Sequence, residues 1–335
     1  MKILITGSCG FIGSNFIHHL LKDNRIDKII GIDNLSHGNF LNGIHDHIKV
    51  KQYMYDVRDE KSITPLFENV DYVFNMAGLV SIYDCDKDPH EAIDNNIMGT
   101  VNVLNACVKY GIKKIIAPET SAVYEDCGEG PYDETQLNPV TIYSTSKAMG
   151  GMLVKSFHKT RKLDYTLLRF FNVYGELQDW KRTVPPASAG FAIRLMQRKK
   201  PIIFGNAERR RDFIHVDDVI DFLNMCLYDS RTDNETFNIG TGKSTSLIEM
   251  MKTIADILNV PYNGYINMPE INGEAFNIFA NITKAKQLGW EPRITFIKGH
   301  ESLIKYLKKL YDEKIFPEDF MDNINISEIT LNEKK

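Results

Sequence analysis

No stretch of this 335-residue chain approaches the ~20 consecutive apolar residues that a membrane-spanning helix requires, and no membrane partner is expected. The opening residues, MKILITG, run straight into a strand pattern without the layout of a secretory leader, so a cytoplasmic location is the expectation. Cysteine is scarce. The five residues Cys9, Cys85, Cys107, Cys127 and Cys226 are odd in number and form no CxxC pair, which argues against a disulfide framework or a zinc ribbon. His45 and His47 are two apart, a poor spacing for ligation from a helix, and no metal is expected. Positive charge is not in excess either: a formal charge of -4 gives no basic field for nucleic acid. Internal repeats and low-complexity segments are also missing. What remains is a chain of ordinary globular composition, 43% apolar and long enough to bury a real core.

Short β-rich apolar runs alternate with helical patterns: KILIT, a helix over 11–22, KIIGI at 28–32, IKVKQY at 48–53, DYVFNM at 71–76, a helix over 89–109, KKIIA at 113–117 and a helix over 141–158. Near-continuous apolar strands separated by helices predict an α/β fold, a doubly wound parallel sheet of Rossmann type covered on both faces. In the helix over 89–109, Asp88 is placed to cap, Pro89 fits the first turn, and Ile93, Ile97, Val101, Leu104 and Val108 form a stripe expected in the core or an interface. After YTLLRFFNVYG at 165–175 the alternation breaks at KRTVPPASAG. The expected division is a dinucleotide-binding domain over 1–175, completed by parts of 212–245, a smaller α/β substrate-binding lobe over 176–316, and a loosely held tail over 317–335.

Gly7, Gly10 and Gly13 lie between the first strand and the first helix, where missing side chains let backbone N–H groups approach a pyrophosphate. Asp33 ends the second strand twenty residues past Gly13, where a carboxylate can accept the hydroxyls of a ribose and repel a 2′-phosphate, favouring NAD over NADP. Asp56-Val57, after the third strand, are placed to meet the adenine edge. The pattern YxxxK occurs three times, at Tyr83/Lys87, Tyr110/Lys114 and Tyr143/Lys147. The first pair is expected in a loop and the second straddles Gly111, so only Tyr143 and Lys147 are expected to share a helix face. Bringing a phenol from a pKa near 10 to about 7 needs roughly 4 kcal/mol. One ammonium at about 6 Å, with an effective dielectric of about 20, gives roughly 3 kcal/mol. A second cation must help, and an oxidised nicotinamide ring is such a cation.

Through TGSCGFIGSNF, GIDNLSHGN, DVRD, NNIMGTVNVL, TSAVY, YSTSK, LRFFNVYG, RRRDFIHVDDV, FNIGTG and ITKAKQLGW, in that order, the chain resembles the extended short-chain dehydrogenase/reductase family, specifically its NAD-dependent nucleotide-sugar epimerase and dehydratase branch. The resemblance implies that Thr120 hydrogen-bonds the sugar hydroxyl being oxidised, that Tyr143 takes its proton, and that Lys147 holds the nicotinamide ribose while tuning the phenol. It implies an NAD site from Gly7, Gly10, Phe11, Ile12, Gly13, Asp33, Asn34, Asp56, Val57, Ala77, Asn96, Tyr143 and Lys147. Ser121, Val80, Cys85, Asn172 and Arg211 would meet the substrate, Asn172 and Arg211 at its diphosphate.

Related dehydratases carry an acidic pair directly after the catalytic threonine; here Ser121 and Ala122 follow. This favours a UDP-hexose 4-epimerase over a nucleotide-sugar 4,6-dehydratase or reductase, and the complete Thr/Tyr/Lys set argues against a catalytically silent NAD-binding regulatory protein. Glu119 and Glu125 keep an unusual elimination open. Four positions depart from the family pattern: Ile271, where an arginine often precedes Gly273-Glu274; Ile278, at the position resembling the N-acetyl gate; Cys85, in place of a common serine; and Gly151, in place of a frequent glutamate. The family also implies a homodimer through the helices over 89–109 and 141–158.

Overall fold

Leu4 packs to one side of its strand while Ile3 and Ile5 pack to the other, all of them fully buried, because side chains alternate across a strand and both faces of this sheet are covered. The strand is β1 (Lys2–Thr6), and β2 (Lys28–Ile32), β3 (Val50–Tyr53), β4 (Tyr72–Asn75), β5 (Lys114–Thr120) and β6 (Asp164–Phe170) lie in the same sheet. A seventh strand, Glu235–Ile239, pairs in parallel with β6, giving the order Glu235–Ile239, β6, β5, β4, β1, β2, β3. This is the doubly wound α/β arrangement expected from the sequence. The computed structural model describes residues 1–36, 38–39, 42–182, 184–270 and 275–322.

One face is covered by Phe16, Ile17 and Leu20 of the helix Phe11–Leu20 and by Val219, Phe222 and Leu223 of the helix Val216–Tyr228. Val103, Leu104 and Cys107 of the helix Gly99–Tyr110, with Val154 of the helix Ile142–Arg161, cover the other. Removing each such large side chain from water stabilises the fold by about 1.5–3 kcal/mol. The switch in strand order lies between β1 and β4, and a crevice opens there beyond the carboxyl ends of the strands.

The continuous helix expected over 89–109 is three pieces: Pro89–Ile93, a π-helical turn at Asp94–Met98, and Gly99–Tyr110. Asp88 does cap the first piece, accepting the Glu91 N–H at 3.0 Å. The wider turn shifts the register of the buried face. Of the expected stripe, Leu104 is in the core, whereas Ile97, Val101 and Val108 are half-buried and Ile93 is 45% exposed. Asn96, from the π turn, is instead the residue turned inward.

Small sheets build the second half. Arg210–Arg211 lies between Thr245–Ser246 and Asn277–Ile278, Asn172–Tyr174 pairs with Phe213–His215, and Ile202–Phe204 pairs with Ile266–Met268. A separate core of Phe191, Ile193, Met250, Ile254, Leu303 and Leu307 joins the helices Ala187–Met196, Leu247–Leu258 and Phe296–Asp312. Asp212 stitches this half to the sheet: its carboxylate accepts the N–H groups of Thr241 and Gly242, both at 2.8 Å, and of Ala280 at 3.2 Å.

The tail expected to be loose from residue 317 is docked as far as Asp322. Phe320 is buried, and Arg194 donates to the Phe320 carbonyl at 2.8 Å and to the Asp322 carboxylate at 2.7 Å. Residues 323–335, and the positions Ile271, Gly273 and Glu274 singled out above, lie outside the described residues. Among the described residues no helix is long and apolar enough to cross a membrane.

Candidate active site

The turn after β1 closes to a degree that only glycine permits. Gly7 sits at φ +65°, and an added Cβ there would lie 2.7 Å from the Met76 carbonyl carbon; at Gly13 it would lie 2.2 Å from the Gly7 oxygen. Gly10 is the N-cap of the helix Phe11–Leu20 and supplies no capping side chain, which leaves the first N–H groups of that helix to a ligand. Gly7, Gly10, Phe11, Ile12 and Gly13 all line a single cleft of about 560 Å³, together with Asp33, Asn34, Val57 and Ala77. The Asp33 carboxylate is held by the N–H groups of Cys9 at 2.9 Å and Leu35 at 2.8 Å. A pyrophosphate on the open helix end and a ribose diol on Asp33 fit this cradle.

Two residues expected at the cofactor do not line the cleft. Asp56 is engaged by Arg58, through Nε at 2.9 Å and Nη2 at 2.7 Å, and by the Asn34 amide at 2.8 Å; the Arg58 contact above all holds its carboxyl down at about 2. Asn96 lies underneath: it accepts the Leu79 N–H at 2.8 Å and donates to the Leu79 carbonyl at 3.0 Å and the Ser146 hydroxyl at 2.9 Å. It therefore ties the cleft's floor to the helix Ile142–Arg161.

That helix starts at Thr141, whose hydroxyl accepts the Ser144 N–H at 3.1 Å, and it brings Tyr143 and Lys147 into the cleft beside Thr120 from the end of β5. The phenol of Tyr143 is pushed up to about 12 by burial, against a hydrogen bond with Thr120 and the attraction of Arg182. Burial likewise pushes Lys147 down to about 8, with Glu119 opposing it. Burial thus outweighs the protein charges around Tyr143, in keeping with the need for a second cation. Arg182, in the irregular stretch after Gly175, was missed from sequence since no periodicity marks it.

The two nearby glutamates are both committed. Glu119 accepts from the Arg169 guanidinium Nε at 2.7 Å, with both side chains almost fully buried. Its carboxylate fills the space left by Gly151, where a Cβ would come within 1.7 Å of Oε1. Glu125 accepts the N–H groups of Val140 and Thr141, each at 2.9 Å, and the hydroxyls of Thr141 at 3.0 Å and Ser144 at 2.6 Å, so it anchors the start of the Tyr143 helix.

Of the residues expected to meet substrate, Ser121, Val80, Asn172 and Arg211 line the cleft, as does Ile278. Cys85 does not: it is fully buried with Leu79 and Ala92, and Tyr143 packs on this group. Burial raises the Cys85 thiol to about 12. The helix Ile82–Lys87 accounts for the difference, since it turns Cys85 inward and places Tyr83 on the cleft wall. Tyr83 and Lys87, expected in a loop, both belong to that helix.

A doubly wound sheet with a glycine cradle, an acidic residue closing the second strand, and Thr, Tyr and Lys gathered in one cleft is the arrangement of a dinucleotide-dependent enzyme. The family model described as the NAD dependent epimerase/dehydratase family matches residues 3–240, and the chain belongs to that family. NAD is accordingly its cofactor. A putative UDP-glucose 4-epimerase from Methanocaldococcus jannaschii is 34% identical over 313 residues, covering 91% of this chain and 98% of the relative. A dTDP-glucose 4,6-dehydratase from Streptomyces antibioticus is 27% identical, covering 89% and 90%. The crystal structure of UDP-glucose 4-epimerase from Thermotoga maritima with UDP-glucose superposes with a TM-score of 0.87 at 31% identity, covering 93% of this chain and all of that one.

Proposed function

We propose that this protein is an NAD-dependent nucleotide-sugar 4-epimerase, with UDP-hexoses as substrates. The observation that carries this reading is the state of the carboxylates. The family includes epimerases and dehydratases, and elimination of water needs a carboxyl group able to exchange protons at the sugar. Ser121 and Ala122 occupy the positions after Thr120, Glu119 is bound to Arg169, and Glu125 is bound to the start of its helix.

Bound NAD supplies reversible hydride acceptance. Thr120 holds the C4 hydroxyl of the sugar, and Tyr143 takes the proton from that oxygen and later returns it. Lys147 steadies the phenolate and the nicotinamide ribose. Asn172 and Arg211, which line the cleft, would anchor the diphosphate and leave the 4-ketosugar free to turn and present its other face. Asn96 positions the wall behind Tyr143, and Asp33 selects a ribose without a 2′-phosphate.

Incubation with UDP-glucose, UDP-N-acetylglucosamine and UDP-glucuronate, followed by NMR, should show inversion at C4 in at least one. A 4-keto-6-deoxy product would select a dehydratase instead, stoichiometric NADH consumption a reductase, and turnover of none a silent NAD-binding protein.

A homodimer is part of the same reading. Ile93, Met98, Ile142, Met149 and Met152 are 45, 48, 38, 45 and 60% exposed on neighbouring helices, an apolar surface that a second copy would cover. Light scattering at micromolar concentration should return twice the chain mass of 38.4 kDa; a single chain mass would contradict the pairing.

A further inference from the structure

Tyr83 and Lys87 repeat the spacing of Tyr143 and Lys147 on a helix of their own, yet the two halves of the pair separate. Lys87 stays in solvent with its ammonium 5.9 Å from the centre of the Tyr83 ring, while Tyr83 is only 6% exposed and lines the same cleft as Tyr143. Among the described residues the Tyr83 phenolic oxygen, itself buried, has no hydrogen-bond partner. Within its own helix the Ser81 hydroxyl is engaged, accepting the Asp84 N–H at 3.1 Å. Buried hydroxyls in folded proteins are nearly always paired, and one left alone costs about 1–3 kcal/mol. Tyr83 lines the cleft, so a ligand bound there is the group at hand to complete it.

We infer that the Tyr83 hydroxyl binds a hydroxyl of the substrate's sugar ring, making Tyr83 a substrate-contacting and specificity-determining residue. The inference rests on the nucleotide-sugar reading above. Tyr83 lines the cleft together with Val80, and its helix Ile82–Lys87 packs against the helix Ile142–Arg161 that carries Tyr143, the residue proposed for proton transfer, whereas Asn172 and Arg211 stand on the strands of the other half. A phenol can donate and accept, as can a sugar hydroxyl, so the pair satisfies both partners. The same pairing would reject a sugar lacking that hydroxyl, because the oxygen would again be stranded.

The test is calorimetric titration of UDP-glucose and of UDP into NAD-loaded wild type and Tyr83→Phe. The variant should bind UDP-glucose about tenfold more weakly, bind UDP equally, and retain as much NAD. Without ligand it should melt at the same temperature as wild type or higher, since the unpaired oxygen is gone. Unchanged affinity for UDP-glucose overturns the inference, as does an equal loss for UDP or a lower NAD content. A lower melting temperature would also overturn it by revealing a partner within the protein. If wild type epimerises a sugar while Tyr83→Phe binds UDP-glucose normally, this inference alone fails. If wild type neither binds nor turns over any nucleotide sugar, the functional reading fails and carries this one with it.

Discussion

A Tyr143→Phe variant is expected to turn over a nucleotide sugar about 10³-fold more slowly than wild type while keeping its NAD. The substitution removes one oxygen and leaves the ring in its apolar bed of Leu79, Cys85 and Ala92, so the helix and the cradle around Gly7 should be undisturbed. What disappears is the group that accepts the proton under the proposed chemistry. The unliganded phenol, pushed up to about 12, is a poor base at neutral pH. Lowering it needs cations, and in the protein those are Lys147, itself pushed down to about 8, and Arg182. The oxidised dinucleotide brings the further positive charge that the energetics demand. Steady-state rates and the NAD content of the purified variant check this together, and a loss smaller than about tenfold would remove Tyr143 from the chemistry.

Glu119→Gln should destabilise the protein by roughly 3 kcal/mol, because it leaves the Arg169 guanidinium buried without its counter-charge. The more telling result concerns Gly151. Replacing a helical glycine by alanine ordinarily adds about 0.5–1 kcal/mol of stability. Here the new Cβ would meet a carboxylate that Arg169 pins in place, so Gly151→Ala should destabilise wild type. In a Glu119→Ala background the space is vacant and the same substitution should stabilise. Denaturant unfolding of the four proteins measures this reversal of sign, and additive effects would contradict it. Glu119 also bears on Lys147. The folded pKa of about 8 lies below the ordinary 10.5, so between these values the unfolded chain holds a proton that the folded chain has released. The Lys147 contribution to stability therefore rises with pH across that window. Because Glu119 raises the Lys147 pKa, its removal should open the window at lower pH.

The sheet was legible because its signal is local: each strand is a short apolar run, and β2 occupies the residues, 28–32, that the pattern gives. The glycine cradle, Asp33 and the Tyr143 helix were legible for the same reason, as spacing within one segment. Failures came where distant segments meet or where a helix departs from regular winding. No periodicity forewarns of the π turn at Asp94–Met98, which turns Asn96 inward and moves the stripe containing Ile93 outward. The apolar character of Ile82 and Tyr83 is too brief to separate a helix from a loop, and the family position that points to Cys85 gives no sign that this helix turns Cys85 inward and Tyr83 to the cleft. Glu119 and Gly151 are complementary only once β5 and the helix Ile142–Arg161 are packed, which no linear pattern records.

Asp212 has a consequence for anyone building chimeras from this fold. Its carboxylate clasps Thr241 and Gly242, just beyond the strand Glu235–Ile239, and Ala280, two residues past the strand Asn277–Ile278. A C-terminal segment transplanted from a relative at a junction between 242 and 280 brings its own position 280 but meets the host's clasp. A cut between residues 212 and 280 would leave a buried carboxylate facing foreign backbone, so residues 212, 241–242 and 280 have to travel as one cassette.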